Sequence, residues 1–159
     1  DSLGGCVSTV VKGVDVGLGE PIYNKLNARL SFAIMSINAV KGIEFGLGFN
    51  SCKIKGSEYN DIFVKTDNKI QTKTNNSGGI QGGISNGQDI VFNTVFKPTS
   101  SIKKKQTTLN NEGFEVDYVN SGRHDPCVVP RAVPVVESMT AICLIDMYLL
   151  NLSSRINKL

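Results

Sequence analysis

The chain has 159 residues, of which 40% are hydrophobic and 19% are charged. This length is enough for one compact domain with a sizeable core, and the composition argues against disorder as the global state. The formal net charge of +3 is mild, so nucleic-acid binding in general gains little support. We interpret the basic run Lys103–Lys105 as a solvated loop.

The most hydrophobic stretch, residues 133–150, is interrupted by Pro134, Glu137 and Asp146. No window therefore approaches the apolar run of a membrane span, and we expect a core helix here and no membrane association. The sequence begins at Asp1 without an initiator methionine, a basic start or an apolar signal-like segment. Such a beginning favours a processed end or a cut through a longer protein.

Cysteine and histidine usage restricts the possible chemistry. The four cysteines are scattered and form no CxxC pair, which argues against a zinc ribbon, a redox motif or a disulfide framework. Reduced thiols in a cytoplasmic or plastid-like compartment are the simplest interpretation. The only histidine is His124, which excludes a His-rich metal site or a relay of two imidazoles within this chain. We therefore expect no metal.

The first 45 residues predict a strand, a helix and a second strand. Residues 7–11 are mostly β-branched and predict a strand. Pro21 suits the first position of a helix, and apolar residues recur behind it at helical spacing as far as Ile37, which predicts an amphipathic helix. Residues 40–45 predict the next strand. This order indicates an α/β fold class.

The middle of the chain differs from the beginning. Residues 50–87 are polar and rich in glycine, and composition favours a mobile surface loop over the alternative, a ligand-facing loop. Residues 89–97 then alternate at a period of two, which predicts a strand. Its two faces are formed by Ile90, Phe92, Thr94 and Phe96 on one side and by Val91, Asn93 and Val95 on the other.

The last third predicts a polar turn, a strand and a helix. The turn covers residues 97–101, the short strand covers 113–119, and a long apolar helix begins near Arg131. No internal repeat and no linker divides the chain, so we expect residues 1–159 to form a single domain.

The glycine-rich loop at residues 78–87 is one polar candidate for chemistry, and two further polar clusters are candidates as well. Lys97, Thr99, Ser100 and Ser101 place one cation and three hydroxyls just past a strand, which suits a phosphate group. The alternative is a capped turn with Lys97 in solvent.

The second cluster is Arg123, His124 and Asp125, with Arg131 nearby. One alternative is a surface ion pair. In the other, Arg123 holds an anion while Asp125 accepts a proton or orients a donor. We interpret His124 as hydrogen-bonded and inert.

Five longer motifs, read together, resemble the chorismate synthase family. They run from Gly17 to Pro21, from Met35 to Gly42, from Gly56 to Asp61, from Asn76 to Gly87 and from Gly122 to Pro134. In order and spacing they cover nearly the whole chain. The resemblance implies a mixed α/β fold, a sandwich of β-sheets flanked by helices, with this chain as one of two similar halves of a subunit.

The resemblance also implies an activity. The family converts 5-enolpyruvylshikimate 3-phosphate to chorismate by a 1,4-anti elimination of phosphate, a carbon–oxygen lyase reaction that requires reduced FMN. In that family the subunits form a homotetramer. Whether the flavin is reduced by the enzyme itself, with NADP as the other partner, or by a separate reductase stays open.

The resemblance carries particular residues over. Asn38 and Ala39 are expected to line the flavin, Gly82 to let it approach the backbone, and Arg123 to lie near flavin and substrate. Asp125 is expected beside the flavin N5, where it manages a proton. The ribityl phosphate end is expected against Lys97, Pro98, Thr99, Ser100 and Ser101.

The family's amino-terminal half, with two catalytic histidines and most of the substrate-binding arginines, has no counterpart here. We therefore expect a carboxy-terminal half that is inactive alone. The alternatives are a non-catalytic assembly module and an unrelated domain that binds a phosphate ligand.

Overall fold

The computed structural model of the chain describes residues 1–67 and 69–154. Within these residues the helices are α1 (Leu26–Met35), α2 (Gly56–Tyr59) and α3 (Val129–Ser153), with a 3-10 segment at Gly48–Lys53. The strands are β1 (Gly5–Val11), β2 (Val40–Phe45), β3 (Phe63–Thr66), β4 (Lys69–Thr72), β5 (Ile80–Gln81), β6 (Ile84–Ser85), β7 (Ile90–Phe96), β8 (Gln106–Leu109) and β9 (Glu115–Tyr118). The predicted α/β class is confirmed.

The central sheet is antiparallel, with the strand order β1-β7-β2. The predicted alternation of β7 is confirmed, because Ile90, Phe92, Thr94 and Phe96 are buried on one face. The other face is more exposed and mixed in character, since it carries Val91 and Val95 beside Asn93. On it the Ser8 hydroxyl donates to Asn93 Oδ1 at 2.7 Å, and Asn93 Nδ2 donates to Glu44 Oε1 at 3.1 Å. One face of the sheet is therefore core and the other is surface.

Helices α1 and α3 cover the apolar face. The buried residues of α1 are Leu26, Leu30 and Ile34, four residues apart, so they form one stripe along the helix. The buried residues of α3 are Ala132, Val136, Thr140, Cys143 and Met147, which also share a face. These two stripes and the inner face of β7 form the core.

The start of α1 differs from the prediction. The helix begins at Leu26 and not at Pro21. Ile22 has a left-handed φ of 72°, and the Glu20 N–H donates to the carbonyl of Asn24, so these residues form a turn. The Leu26 N–H donates to the Gly83 carbonyl at 2.7 Å. A distant loop therefore fixes the first turn of the helix, which the local sequence does not reveal.

Residues 50–87 contain more structure than the predicted loop. Helix α2 and the hairpins β3–β4 and β5–β6 lie within them. The predicted strand at 113–119 is present as β9, and it pairs with β8, which was not predicted. Every residue of β8 and β9 is exposed.

Helix α3 corrects one expectation from composition. It is long and apolar enough to cross a membrane, with a mean hydropathy of 1.6 over 18 residues, so the expectation that no window approaches such a run was wrong. One such helix is weak evidence for a span, because core helices pass the same test. Here α3 packs on β1 and α1, although only 22% of that window is buried.

Candidate functional site

Two of the polar segments meet at one end of the central sheet. Strand β7 ends where β1 and β2 begin, since Phe96 is paired with Gly5 on one side and Val40 on the other. Asn38 and Ala39 immediately precede β2, and Lys97 immediately follows β7. The Lys97 N–H donates to the Ala39 carbonyl at 2.9 Å. The sheet therefore places these two predicted site segments side by side.

Ala39 has an unusual backbone conformation. Its φ is 69°, in the left-handed region that an L-residue other than glycine occupies at a cost. Residues held in such conformations occur preferentially at ligand sites. Because the alanine side chain is small, other groups can approach this strained backbone closely.

The segment that carries Asp125, residues 123–125, is joined to the turn at residues 97–101 by a hydrogen bond. The Thr99 hydroxyl donates to the Asp125 carbonyl at 3.0 Å, and the Ser2 hydroxyl donates to the Thr99 carbonyl at 2.6 Å. The Leu3 N–H donates to the Pro126 carbonyl at 2.8 Å. The chain start therefore links the turn at residues 97–101 to the segment that carries Asp125.

The turn at residues 97–101 retains groups for an anion. Lys97 and Ser100 are exposed. The Thr99 hydroxyl is occupied by Asp125, so only part of the predicted hydroxyl set is available. Pro98 packs against Gly4, where a Cβ would lie 3.1 Å from the proline Cδ and 2.4 Å from the Phe96 carbonyl oxygen. A glycine is required for this close approach, which sets the position of the turn.

Asp125 is flanked by two arginines. Its Oδ2 is 3.0 Å from Arg131 Nε, and its Oδ1 is 3.7 Å from Arg123 Nη1. The Asp125 side chain is 30% exposed and that of Arg123 is 81% exposed. His124 is exposed, with its Nε2 3.3 Å from the Ser121 carbonyl oxygen. The site therefore offers a half-buried carboxylate beside an exposed guanidinium, and a ligand could contact both.

Gly82 lies away from this group. Gly82 follows β5 and precedes Gly83, and the Gly83 carbonyl accepts from the N–H of Leu26, the first residue of α1. Asn38 lies beyond the other end of that helix. A helix of ten residues spans about 15 Å. Gly82 lines a separate cleft of about 440 Å³ together with Lys25, Asn27, Phe45 and Tyr59. The Asn27 Oδ1 is buried there without a hydrogen-bond partner among the described residues.

A buried carboxylate that the sequence did not single out holds the Gly-rich segment. Asp61 is 6% exposed, and its Oδ1 accepts from the Thr74 hydroxyl at 2.6 Å and the Asn76 N–H at 2.8 Å. Its Oδ2 accepts from the Ser77 N–H at 2.8 Å. Burial alone would raise the pKa of Asp61, but these hydrogen bonds outweigh it and hold the pKa below its usual value.

Sequence reasoning also missed other residues that shape the candidate site. Ser2 acts through a contact with a distant part of the chain, the Thr99 carbonyl, and no local pattern marks it. No local pattern marks Asn27 either, although its side chain, with a buried Oδ1, lines the cleft beside Gly82. Arg131 was noted only as a neighbour of the second cluster, because its spacing from Asp125 does not reveal contact across the helix start. Among the described residues, no group of three or more histidine, cysteine, aspartate or glutamate side chains could hold a metal ion.

Comparison with known proteins gives one consistent result. The family model for chorismate synthase matches residues 1–149. The chorismate synthase of Christiangramia forsetii is 58% identical over 156 residues, which cover 98% of this chain and 43% of that protein. Those of Parabacteroides distasonis and Bacteroides fragilis are 56% and 52% identical, with coverage of 99% and 95% of this chain and 44% and 42% of theirs.

A solved structure agrees with the sequence relatives. A crystal structure of chorismate synthase superposes with a TM-score of 0.76 at 32% identity and covers 95% of this chain and 38% of that one. The chain therefore spans about two fifths of the length of the proteins that it resembles.

Proposed function

This chain belongs to the chorismate synthase family, and from that premise we propose that it is the carboxy-terminal half of a chorismate synthase subunit. The reaction is the 1,4-anti elimination of phosphate from 5-enolpyruvylshikimate 3-phosphate, which gives chorismate for the synthesis of aromatic amino acids. The enzyme is a carbon–oxygen lyase in the cytoplasm, and its cofactor is reduced FMN.

The convergence of three segments at the end of β7 carries this proposal. Residues 38–39, 97–101 and 123–125 are far apart in sequence, yet two direct hydrogen bonds connect them, from the Lys97 N–H to the Ala39 carbonyl and from the Thr99 hydroxyl to the Asp125 carbonyl. The meeting point combines exposed cations, hydroxyls, a strained backbone and one half-buried carboxylate.

These residues suit a flavin mononucleotide. Lys97, Ser100 and Ser101 would hold the phosphate end, because a cation and hydroxyls satisfy its charge and its acceptors. Asn38 and Ala39 would line the ring, since the small Ala39 side chain leaves its backbone accessible. When bound, the reduced cofactor supplies electron density as the allylic phosphate leaves. Gly82 is proposed as a cofactor contact on the family resemblance alone, because it lines a separate cleft at the other end of α1.

Asp125 and Arg123 would perform this chain's part of the chemistry. The Asp125 carboxylate would accept or steer the proton that the substrate loses, which requires a group that is accessible but held in place. Arg123 would stabilise the negative charge of the departing phosphate, because its exposed guanidinium is free to turn toward an anion.

The missing part of the subunit limits what this chain does alone. We propose that an amino-terminal half supplies two catalytic histidines and most substrate-binding arginines, and that the complete subunits form a homotetramer. The exposed apolar side of α3 supports a covering partner, since Ile142, Ile145 and Leu149 are each more than half exposed.

Complementation tests this proposal. The chain is mixed with a separately produced amino-terminal half of the Christiangramia forsetii enzyme, and chorismate formation is measured with reduced FMN. The chain alone is expected to give no chorismate, and the mixture is expected to be active. In the mixture Asp125→Asn should lower the turnover number by about a hundredfold, the usual size of a lost acid–base group.

The control is Asp117→Asn, which removes an exposed carboxylate on β9 that pairs with Lys105. It should leave turnover unchanged. Full activity of the chain alone would contradict the need for the second half. An active mixture that is insensitive to Asp125→Asn and does not bind FMN would favour a non-catalytic assembly module, and binding of an unrelated phosphate ligand without FMN would favour the third alternative.

A further inference from the structure

Two arginines approach Asp125 in unequal ways. Arg131 Nε lies 3.0 Å from Oδ2, which is a close ion pair. Arg123 Nη1 lies 3.7 Å from Oδ1, which is beyond hydrogen-bonding distance. One carboxylate oxygen is therefore held and the other faces a loosely placed, mostly exposed guanidinium.

The two arginines also differ in how their backbones are supported. Arg131 lies in the first turn of α3, where its N–H donates to the Val128 carbonyl at 3.0 Å. The next residue, Ala132, is buried, and so is Val136 one turn later. Arg123 belongs to an exposed segment without helix or strand. Side chains on packed helices are placed more reproducibly than those on loops, so Arg131 is the better fixed of the two.

The position of Arg131 on α3 is unfavourable without a partner. The first turn of a helix carries a partial positive charge, which favours acidic side chains and disfavours basic ones. The first turn of α3 contains no acidic residue but does contain this arginine. The carboxylate of Asp125 offsets that repulsion, so the ion pair accounts for a cation at this end of the helix.

We propose that Arg131 is the positioning residue of Asp125. It holds Oδ2 against α3 so that Oδ1 points to the ligand, while the Thr99 hydroxyl fixes the backbone carbonyl of the same residue. Arg123 is left free to bind anionic groups of the cofactor or substrate. This division of roles rests on the proposed function of Asp125.

The test uses the complete enzyme, reconstituted from both halves with reduced FMN. Arg131→Gln removes the charge at similar length, and Arg131→Lys keeps it. We expect Arg131→Gln to lower kcat by on the order of ten- to a hundredfold, the range for a misplaced catalytic group, with KM for 5-enolpyruvylshikimate 3-phosphate within about twofold. Arg131→Lys should recover most of the loss.

A double-mutant cycle tests whether the loss of kcat in Arg131→Gln arises through Asp125. If Arg131 acts only through Asp125, Arg131→Gln causes no further loss in an Asp125→Asn background. An equal additional loss in that background would overturn the inference, and so would an increase in KM with kcat unchanged. If Asp125→Asn retains full activity, the proposed role of Asp125 itself fails. If Asp125→Asn is inactive but Arg131→Gln is fully active, only the present inference fails.

Binding and folding provide readouts besides turnover. Fluorescence titration should give FMN dissociation constants for Arg131→Gln within about twofold of the parent, whereas Arg123→Gln should weaken binding of FMN or substrate. Because both arginines are largely exposed, neither change should unfold the protein. The matched control is Arg29→Gln, which breaks an ion pair of 3.3 Å with Asp146 between α1 and α3, and its kcat should not change. A weakened FMN affinity in Arg131→Gln equal to that in Arg123→Gln would make Arg131 a direct ligand and overturn the inference.

Discussion

Two carboxylates in this chain have opposite environments. Asp61 is buried, and its two oxygens accept three hydrogen bonds from Thr74, Asn76 and Ser77. Asp125 is partly exposed, with one oxygen 3.0 Å from Arg131 Nε and the other 3.7 Å from the exposed Arg123. A buried carboxylate with three of its roughly four acceptor positions occupied holds a loop and has little capacity left for a ligand. The comparison therefore predicts that Asp61 contributes mainly to stability, whereas the role proposed for Asp125 lies in the chemistry.

The largest expected effect on stability is at Asp61. In Asp61→Asn the remaining oxygen can still accept from Thr74 and Asn76, but the new NH₂ group faces the Ser77 N–H. A buried donor then loses its charged partner, which costs about 2 kcal/mol of unfolding free energy. Urea unfolding of the reconstituted enzyme, followed by circular dichroism, measures this loss.

The same experiment on Asp125→Asn and on the exposed Asp117→Asn gives the contrast. Exposed ion pairs contribute about 0–1 kcal/mol, so both variants should lose little stability. A loss at Asp125 as large as at Asp61 would remove the distinction between the two carboxylates.

The pH dependence of stability sharpens the comparison further. The pKa of Asp61 is lowered in the folded protein because its hydrogen bonds outweigh burial. Its stabilising contribution is therefore complete above the ordinary pKa of 3.8 and is lost as the pH falls through the lower folded value. The difference in unfolding free energy between the parent and Asp61→Asn should be constant from neutral pH to about pH 5 and shrink below about pH 4.

The difference between two variants is the useful measurement, because other carboxylates also titrate in acid. A difference that is already smaller at pH 6 would show that the ionised Asp61 is not what the hydrogen bonds stabilise.

Sequence patterns could predict the buried strand β7 of this fold but not the hydrogen bonds between residues that are distant in sequence. The sequence predicted β7 because side chains on a strand change face at every residue and one face of β7 is buried, so mostly apolar residues recur at every second position of the strand. The start of α1 was not readable, because the carbonyl of Gly83 decides it. The role of Asp61 was also missed, although the residue ends one of the five motifs, since its partners lie 13 to 16 residues away.

The same distinction applies to the candidate site: its residues could be recognised from the sequence, but their contacts could not. Motif resemblance supplied Asn38, Lys97 and Asp125 as separate points along the chain. The order of strands in the sheet brings the segments of Asn38 and Lys97 together, and the hydrogen bond from the Thr99 hydroxyl links the segment of Asp125 to them. Ser2, whose hydroxyl joins the turn at residues 97–101, had no distinguishing context. Residue types can be recognised locally, whereas a contact between distant turns depends on the register of β1, β7 and β2.

A small effect on stability is also expected at Thr99, and it reverses the pattern seen at Asp61. Thr99→Val removes the donor to the Asp125 carbonyl with little change in shape. Because Asp125 is partly exposed, water can replace the lost donor, and the cost in unfolding free energy should stay below about 1 kcal/mol. The carbonyl nevertheless loses its fixed partner, so turnover should fall several-fold, and Thr99→Ser should restore it. Urea unfolding and steady-state kinetics on the same preparations measure both effects. A loss of unfolding free energy as large as that of Asp61→Asn, with unchanged turnover, would mean that the hydrogen bond between Thr99 and Asp125 serves folding and not catalysis.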